Sequence, residues 1–332
     1  MTRHIGRSRF ASMALVALVP GCHVAMDEAD VFRRGVPTAE TVTATVPGSG
    51  AGQAVTLAGE TTFGLRGQTA DWYRLTRGVT HVINGGALLV GGLVRTVIRL
   101  APASLSQDTA VWGPFTGDLE PVTWKLTVTR VAEHQFAWRF DGQARGNAAA
   151  PFVTVLSGTH TSAADAAGAL LEGFGTGNFT LDWDARATLP MPRATEMGKA
   201  EYTYARLPGV VTTVDARFRQ VLDEPSGKRV DVDYGYAHQP GGGGTMDFVS
   251  ISAAQLGMPG GRWSAHSRWL STGAGRTDAR ASVDTLAGTL TISECWYTTF
   301  SSTFLARSWE PNAGYGTEAS DCAFAPAEYS SR

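Results

Sequence analysis

Residues 71–100 read DWYRLTRGVTHVINGGALLVGGLVRTVIRL, and the fold turns on whether this stretch is a helix or a hairpin. Val79, Val82, Ile83, Gly86, Val90, Leu93, Val94 and Val97 recur at the three-, four- and seven-residue spacings of one helical face. Asp71, Arg74, Arg77, His81, Asn84, Arg95 and Arg99 gather toward the two ends, which leaves a middle that is apolar nearly all round. A helix of that profile demands cover on most sides, and the apolar run is too short to cross a bilayer. Its glycines cost roughly 1 kcal/mol each against alanine. Gly85 and Gly92, two turns apart on one face, predict a place where another backbone comes close. The competing hairpin would use Asn84-Gly85 as a type I′ turn, but Ala87-Leu88-Leu89-Val90 does not alternate. The spacing therefore predicts one long buried helix over 71–100.

Downstream the period changes to two. Val122, Trp124, Leu126 and Val128 alternate with Thr123, Lys125, Thr127 and Thr129, which is the pattern of a half-buried strand. Similar runs recur to Trp296, separated by turn stretches such as Glu224-Pro225-Ser226-Gly227 and Gly241 to Gly244. Sequential strands of this kind pair as hairpins. The expectation is a mainly β fold, an antiparallel up-and-down barrel or half-barrel of about ten to twelve strands wrapped around the one long helix. Ser104 to Pro114 reads as a polar connection closing on a packed corner, and Ala163 to Glu172 suits a short helical cap over the barrel mouth.

Ahead of the organising helix, Arg3, Arg7 and Arg9 precede a short apolar run, Phe10 to Val19, with no acidic residue before Asp27. A basic head, a short apolar core and small residues at the cut describe a secretory signal peptide. Val19-Pro20-Gly21-Cys22 resembles the lipobox of bacterial lipoproteins, although Pro20 is an unusual occupant and valine stands where leucine is commoner. The resemblance covers only these first residues. It implies cleavage before Cys22, acylation of that cysteine, and a chain tethered to a membrane of the bacterial envelope. The outer membrane is the expected station, facing either the periplasm or the cell surface. Acyl chains contribute about 0.8 kcal/mol per buried methylene, and two or more anchor a protein almost permanently. Residues 1–21 are then the signal, 22–54 a flexible lipidated leader, and 55–332 a single β-rich domain.

With Cys22 consumed by lipid, Cys295 and Cys322 remain as an even pair in an oxidising compartment, where a disulfide persists. That link would pin the C-terminal tail to the last strand. The full chain has 28 Lys and Arg against 30 Asp and Glu, and loses three arginines with the signal. This mildly acidic balance is the opposite of a polyanion-binding footprint, so nucleic acid is not an expected partner.

The residues that could carry chemistry are scattered. Asp182 with Asp184, and Asp231 with Asp233, each place two carboxylates on one strand face, which could hold calcium or serve as acid and base. Their plainer reading is a solvated outer face shared with Arg186, Arg217, Arg219, Arg229, Arg268 and Arg280. His81, His134, His160, His238 and His266 lack zinc-ligand spacing, and G-x-S-x-G is absent. No cofactor fingerprint is present, and Gly241 to Gly244 is not followed by the Lys-Ser or Lys-Thr of a phosphate cradle. Nine tryptophans, eight tyrosines and fourteen phenylalanines sit mainly at inward strand positions, either as a core for the helix or as the lining of an apolar pocket. The expectation is a non-enzymatic lipid-anchored envelope protein. The alternatives are a carrier or sensor of an apolar, lipid-like ligand, and an unrecognised hydrolase gathering His134, His160, His238, His266, Asp182 and Asp231 in one pocket.

Overall fold

A computed structural model of the chain describes residues 28–48, 64–191, 196–223, 227–251, 261–283 and 288–332. Cys22 and the signal segment 1–21 lie outside the described residues. Two short helices come first, α1 (Glu28–Arg34) and α2 (Ala39–Val42), then the long α3 (Asp71–Ile98). The strands that follow are β1 (Ser104–Leu105), β2 (Thr109–Phe115), β3 (Val122–Ala132), β4 (Gln135–Ala144), β5 (Val153–Ala164) and β6 (Leu170–Asp182). After the one-turn α4 (Trp183–Arg186) come β7 (Lys199–Arg206), β8 (Thr212–Asp223), β9 (Lys228–His238), β10 (Gly243–Ser250), β11 (Gly261–Leu270), β12 (Gly275–Val283), β13 (Thr289–Trp296) and β14 (Ser302–Arg307). A last turn of helix, α5 (Glu318–Asp321), lies in the C-terminal tail.

Each strand pairs antiparallel with its successor, giving one open fourteen-stranded sheet in the order β1 to β14. The sequence expectation of ten to twelve strands is corrected to fourteen. It missed β1 and most of β2, which lie in Ser104 to Pro114, expected to be a polar connection, and it missed β10 and β14, whose alternation is interrupted by glycines and by serines. Ala163 to Glu172 is not a helix but the end of β5, the start of β6 and the turn between them, closed by the Asp165 carboxylate, which accepts from the amides of Ala167 and Ala169 at 2.9 Å. Asp182 and Asp184 do not share a strand face, because Asp182 ends β6 and caps α4 by accepting from the Ala185 amide at 2.8 Å. Part of the expected flexible leader is also ordered. Glu28 to Gly48 carries α1 and α2 and buries Phe32, Val42, Ala44 and Val46 in the core.

The inner face of the sheet is paved by a repeated pairing. Trp124 lies opposite Gly142, Trp138 opposite Gly158, Tyr204 opposite Gly177, Trp269 opposite Gly244 and Trp296 opposite Gly275. Each ring lies over the place where its partner's side chain would begin: a Cβ on Gly142, Gly158, Gly177 or Gly244 would sit 2.8–3.0 Å from a ring carbon. Glycine opposite an aromatic residue trades strand propensity for a flat ring covering bare backbone. Gly158→Ala should therefore destabilise the protein by about 1–3 kcal/mol, since its Cβ would also meet the Asn178 carbonyl, which cannot swing away. Gly241→Ala, at a position with no neighbour within 4 Å, should stay within about 0.5 kcal/mol of the parent. Equal thermal shifts for the two variants would refute the pairing argument.

The helix reading of 71–100 holds, and polar anchors along α3 meet widely separated strands. Thr76 Oγ1 is 2.8 Å from Ser267 Oγ on β11, and Thr80 Oγ1 is 3.2 Å from the Tyr234 hydroxyl on β9. The Tyr202 hydroxyl on β7 donates to the Ile83 carbonyl at 3.0 Å. Trp72 packs edge-on against Trp263 of β11, and Trp112 of β2 donates its indole N–H to the Leu100 carbonyl at 3.0 Å. Asn84, which breaks the apolar run in sequence, clamps the backbone of Ala44 by accepting from its amide and donating to its carbonyl.

Two expectations about this helix are corrected. It is not covered nearly all round: Arg74, His81, Gly85, Gly92, Arg95 and Arg99 form an exposed stripe, with Val82 64% exposed beside it. Gly85 and Gly92 offer almost no apolar area, so leaving their side in water costs little. The close approach also falls elsewhere. A Cβ on Gly85 or Gly92 meets nothing within 4 Å, whereas one on Gly86 would lie 2.7 Å from the Tyr202 hydroxyl oxygen.

Candidate functional site

At the C-terminal end of α3 a cleft of about 220 Å³ opens between that helix, α1, the start of α2 and the β5–β6 hairpin. Arg33 and Arg34 come from the last turn of α1, and Arg95 and Arg99 from the end of α3. His160 and Ser162 enter from β5, and Leu170, Leu171 and Phe174 from β6 give the wall its apolar part. Arg33 has structural work to do: its Nε donates to the Ile98 carbonyl at 2.8 Å, closing the end of α3, and its Nη1 pairs with Asp30. Arg34 donates to the Leu170 carbonyl at 3.3 Å, and Arg95 stands 3.8 Å from Glu172, itself 73% exposed. Arg99 pairs with no carboxylate among the described residues.

His160 is 3% exposed, and burial alone pushes its imidazole down to about 4, so it is neutral at pH 7. Its Nδ1 lies 2.9 Å from the Tyr204 hydroxyl. The hydroxyls of the cleft are committed, Ser162 donating to the Arg34 carbonyl and Thr38 bonded to Thr41. What this arrangement can do chemically is attract and hold an anion.

The histidines and acids considered for a hydrolytic pocket are held apart. His134 stands beside Glu133, His238 stacks on Tyr236, and His266 Nδ1 lies 2.9 Å from Asp247. Asp182 caps α4 and pairs with Lys199, while Asp231 accepts from the Gln220 amide at 2.9 Å. Asp233 pairs with Arg219 and Asp184 with Arg229, which fits the solvated-face reading of those residues. Among the described residues no three His, Cys, Asp or Glu side chains gather as a metal site, and no helix is long and apolar enough to cross a membrane.

A second cluster corrects the sequence reading, which placed Arg268 on a solvated outer face. Arg268, Arg276, Asp278 and Glu294 sit at strand positions, yet all four are buried. The cover over Arg268, Arg276 and Asp278 is the C-terminal tail. Arg276 donates to the Phe324 carbonyl and pairs with Glu318, Arg268 pairs with Glu328, and Arg280 donates to the Ser330 carbonyl. Arg332 reaches Asp215 on β8. The disulfide between Cys295 and Cys322 ties the start of this strap to β13. The linkage was legible from the cysteine count; the burial beneath the tail was not.

Glu294 plays a different part. Its Oε2 accepts from the Trp72 amide at 2.8 Å and its Oε1 from Ser302 Oγ at 2.6 Å. Ala70, at the N-cap of α3, has no side chain to offer, so a carboxylate from β13 satisfies the first turn instead. Burial raises Glu294 to about 7 despite these bonds.

No protein family, curated protein or solved structure matches the chain.

Proposed function

We propose that the chain is a non-enzymatic protein of the bacterial cell envelope, held at a membrane surface by acylated Cys22, in which the sheet forms an up-and-down half-barrel around α3. The observation that carries the architectural part is the set of contacts on α3 from β7, β9, β11 and β13, and on Leu100 just past its end from β2, on one side, with the exposed stripe on the other. A trough with a rod lying in it accounts for both. The interior is then filled by the helix and the aromatic pavement, and the gap bordered by Val46, Pro47, Tyr73, Thr76, Trp269 and Trp296 has no room for a water. This favours a packed scaffold over a carrier with an apolar ligand inside. The address rests on the lipobox resemblance, with the outer membrane as the station.

Intact mass of the membrane-extracted mature protein tests the address. Loss of residues 1–21, added acyl mass at Cys22 and two hydrogens missing for the Cys295–Cys322 link are the expected result. An unacylated product starting elsewhere would overturn it.

A further inference from the structure

We propose that the cleft at the C-terminal end of α3 binds a phosphate-type oxyanion, free or as a lipid headgroup, between Arg34, Arg95 and Arg99. The argument begins with charge. Four guanidiniums surround the cleft, and the carboxylates close to them among the described residues are Asp30, engaged with Arg33, and Glu172, distant from Arg95 and mostly in water. Glu40, across Gly173, is already paired with Arg206 at 3.2 Å. The local balance is positive in a chain whose formal net charge is −2.

Helix C-termini ordinarily repel anions because their last carbonyls point outward. Here several carbonyls at that end are occupied: Val97 accepts from the Leu100 amide, Ile98 from Arg33, and Leu100, just past the helix, from Trp112 and from Arg33, while the Arg34 carbonyl at the end of α1 accepts from Ser162. The charged groups lining the cleft are then four arginines against the one carboxylate of Glu172. Guanidiniums bind planar and tetrahedral oxyanions through paired N–H donors, and a phosphate has more charge and more acceptor oxygens than a single carboxylate with which to satisfy three of them. The volume, about 220 Å³, is below the roughly 300–1,000 Å³ of pockets that enclose a drug-sized molecule. It suits a head group with a short apolar stub against Leu170, Leu171 and Phe174, any longer tail remaining outside.

The test uses the full chain carrying Cys22→Ser, so that no acyl group can mediate vesicle binding. Inorganic phosphate is titrated calorimetrically, and the same protein is sedimented with phosphatidylcholine vesicles with and without phosphatidic acid. Arg99→Gln and Arg95→Gln should each weaken binding about tenfold, the loss of one charge-assisted contact. Both side chains are exposed, so melting temperatures should be unchanged. Arg66→Gln, an exposed arginine away from the cleft, should bind like the parent. Phosphate binding in solution assigns the site to a soluble anion; binding confined to phosphatidic acid vesicles and sensitive to Arg99→Gln assigns it to a headgroup. No binding in either arm, or binding that both cleft variants leave intact, would overturn the proposal.

Discussion

Asp278→Ala should cost about 3–5 kcal/mol, the penalty for stranding buried charge, and should free the end of the chain. Asp278 is fully buried and accepts five hydrogen bonds: two from Arg276 Nε at 2.7 and 2.9 Å, and one each from Arg268 Nη2, Ser293 Oγ and the Glu328 amide. Arg268 and Arg276 stand directly opposite each other on β11 and β12. Like charges in that register repel, and the carboxylate between them turns the repulsion into a bridge. Without it, the nearest anions are Glu318 and Glu328, which lie at the rim of the strap and are 41% and 59% exposed. The melting temperature should fall by on the order of 10 °C. Because Cys322 remains tied to Cys295, the released segment should begin after it, and brief carboxypeptidase treatment should shorten Asp278→Ala but not the parent. Asp278→Asn keeps the acceptor and loses the charge, and should fall between the two. A fully protected tail in Asp278→Ala, with stability within about 1 kcal/mol of the parent, would show that the strap is held by the disulfide and apolar contacts instead.

The difference between what could and could not be read in the chain is one of range. The helix over 71–100 was legible because its evidence is local: i, i+3 and i+4 spacing survives the Asn84-Gly85 pair, whose turn signal lost to the failure of Ala87 to Val90 to alternate. Strands with uninterrupted period two, such as Val122 to Val128, were equally plain. The β5–β6 turn misled because Ala163 to Glu172 is rich in helix formers, while its actual instruction is one aspartate three residues before a glycine with φ near +83°. Long-range features left no such trace. Arg276 and Asp278 occupy the charged positions of a period-two run with Gly275, Thr277 and Ala279 between and beside them, as solvent-facing residues do, and only a tail arriving from about fifty residues away buries them. The cleft was invisible for the same reason, since Arg34, Arg99 and His160 come from three separate elements and His160 sits in a run with no ligand spacing. The Tyr-x-Tyr pairs Tyr202/Tyr204 and Tyr234/Tyr236 were legible as inward rings, but not the duty of their hydroxyls, which bond Ile83, His160, Thr80 and Thr45.

Glu294→Gln should stabilise the protein above pH 7 and make its stability fall more steeply than the parent's on acidification below pH 6.5. Glu294 is raised from 4.5 to about 7 in the folded chain, so the folded state binds its proton more tightly than the unfolded one. The stability tied to this group is fully present below pH 4.5 and is lost as pH rises through 7, by about 3 kcal/mol at 1.36 kcal/mol per pKa unit. His160 is displaced the opposite way, from 6.5 to about 4. Its share is fully present above pH 6.5 and is lost as pH falls through 4, again by about 3 kcal/mol. Between pH 4.5 and 6.5 the two slopes oppose each other, and their contributions nearly cancel in the parent. Glu294→Gln keeps one carbonyl oxygen to accept from the Trp72 amide and turns an amide N–H toward Ser302 Oγ, so it removes one slope without uncapping α3. What remains is the His160 slope, a loss on acidification beginning near pH 6.5. His160→Gln should do the reverse, gaining stability near pH 4 and losing it from 4.5 to 7. Other displaced groups, Asp184, Asp247, His238 and Lys199 among them, titrate in parent and variants alike and cancel when the curves are subtracted. Melting curves of the three proteins from pH 4 to 8 decide the matter, and parallel profiles for parent and Glu294→Gln would refute it. The two groups lie at opposite ends of α3, one capping its first turn and the other lining the arginine cleft beyond its last. A buried acid and a buried base placed so far apart cannot neutralise each other by contact, so their opposing slopes meet only in the folding equilibrium.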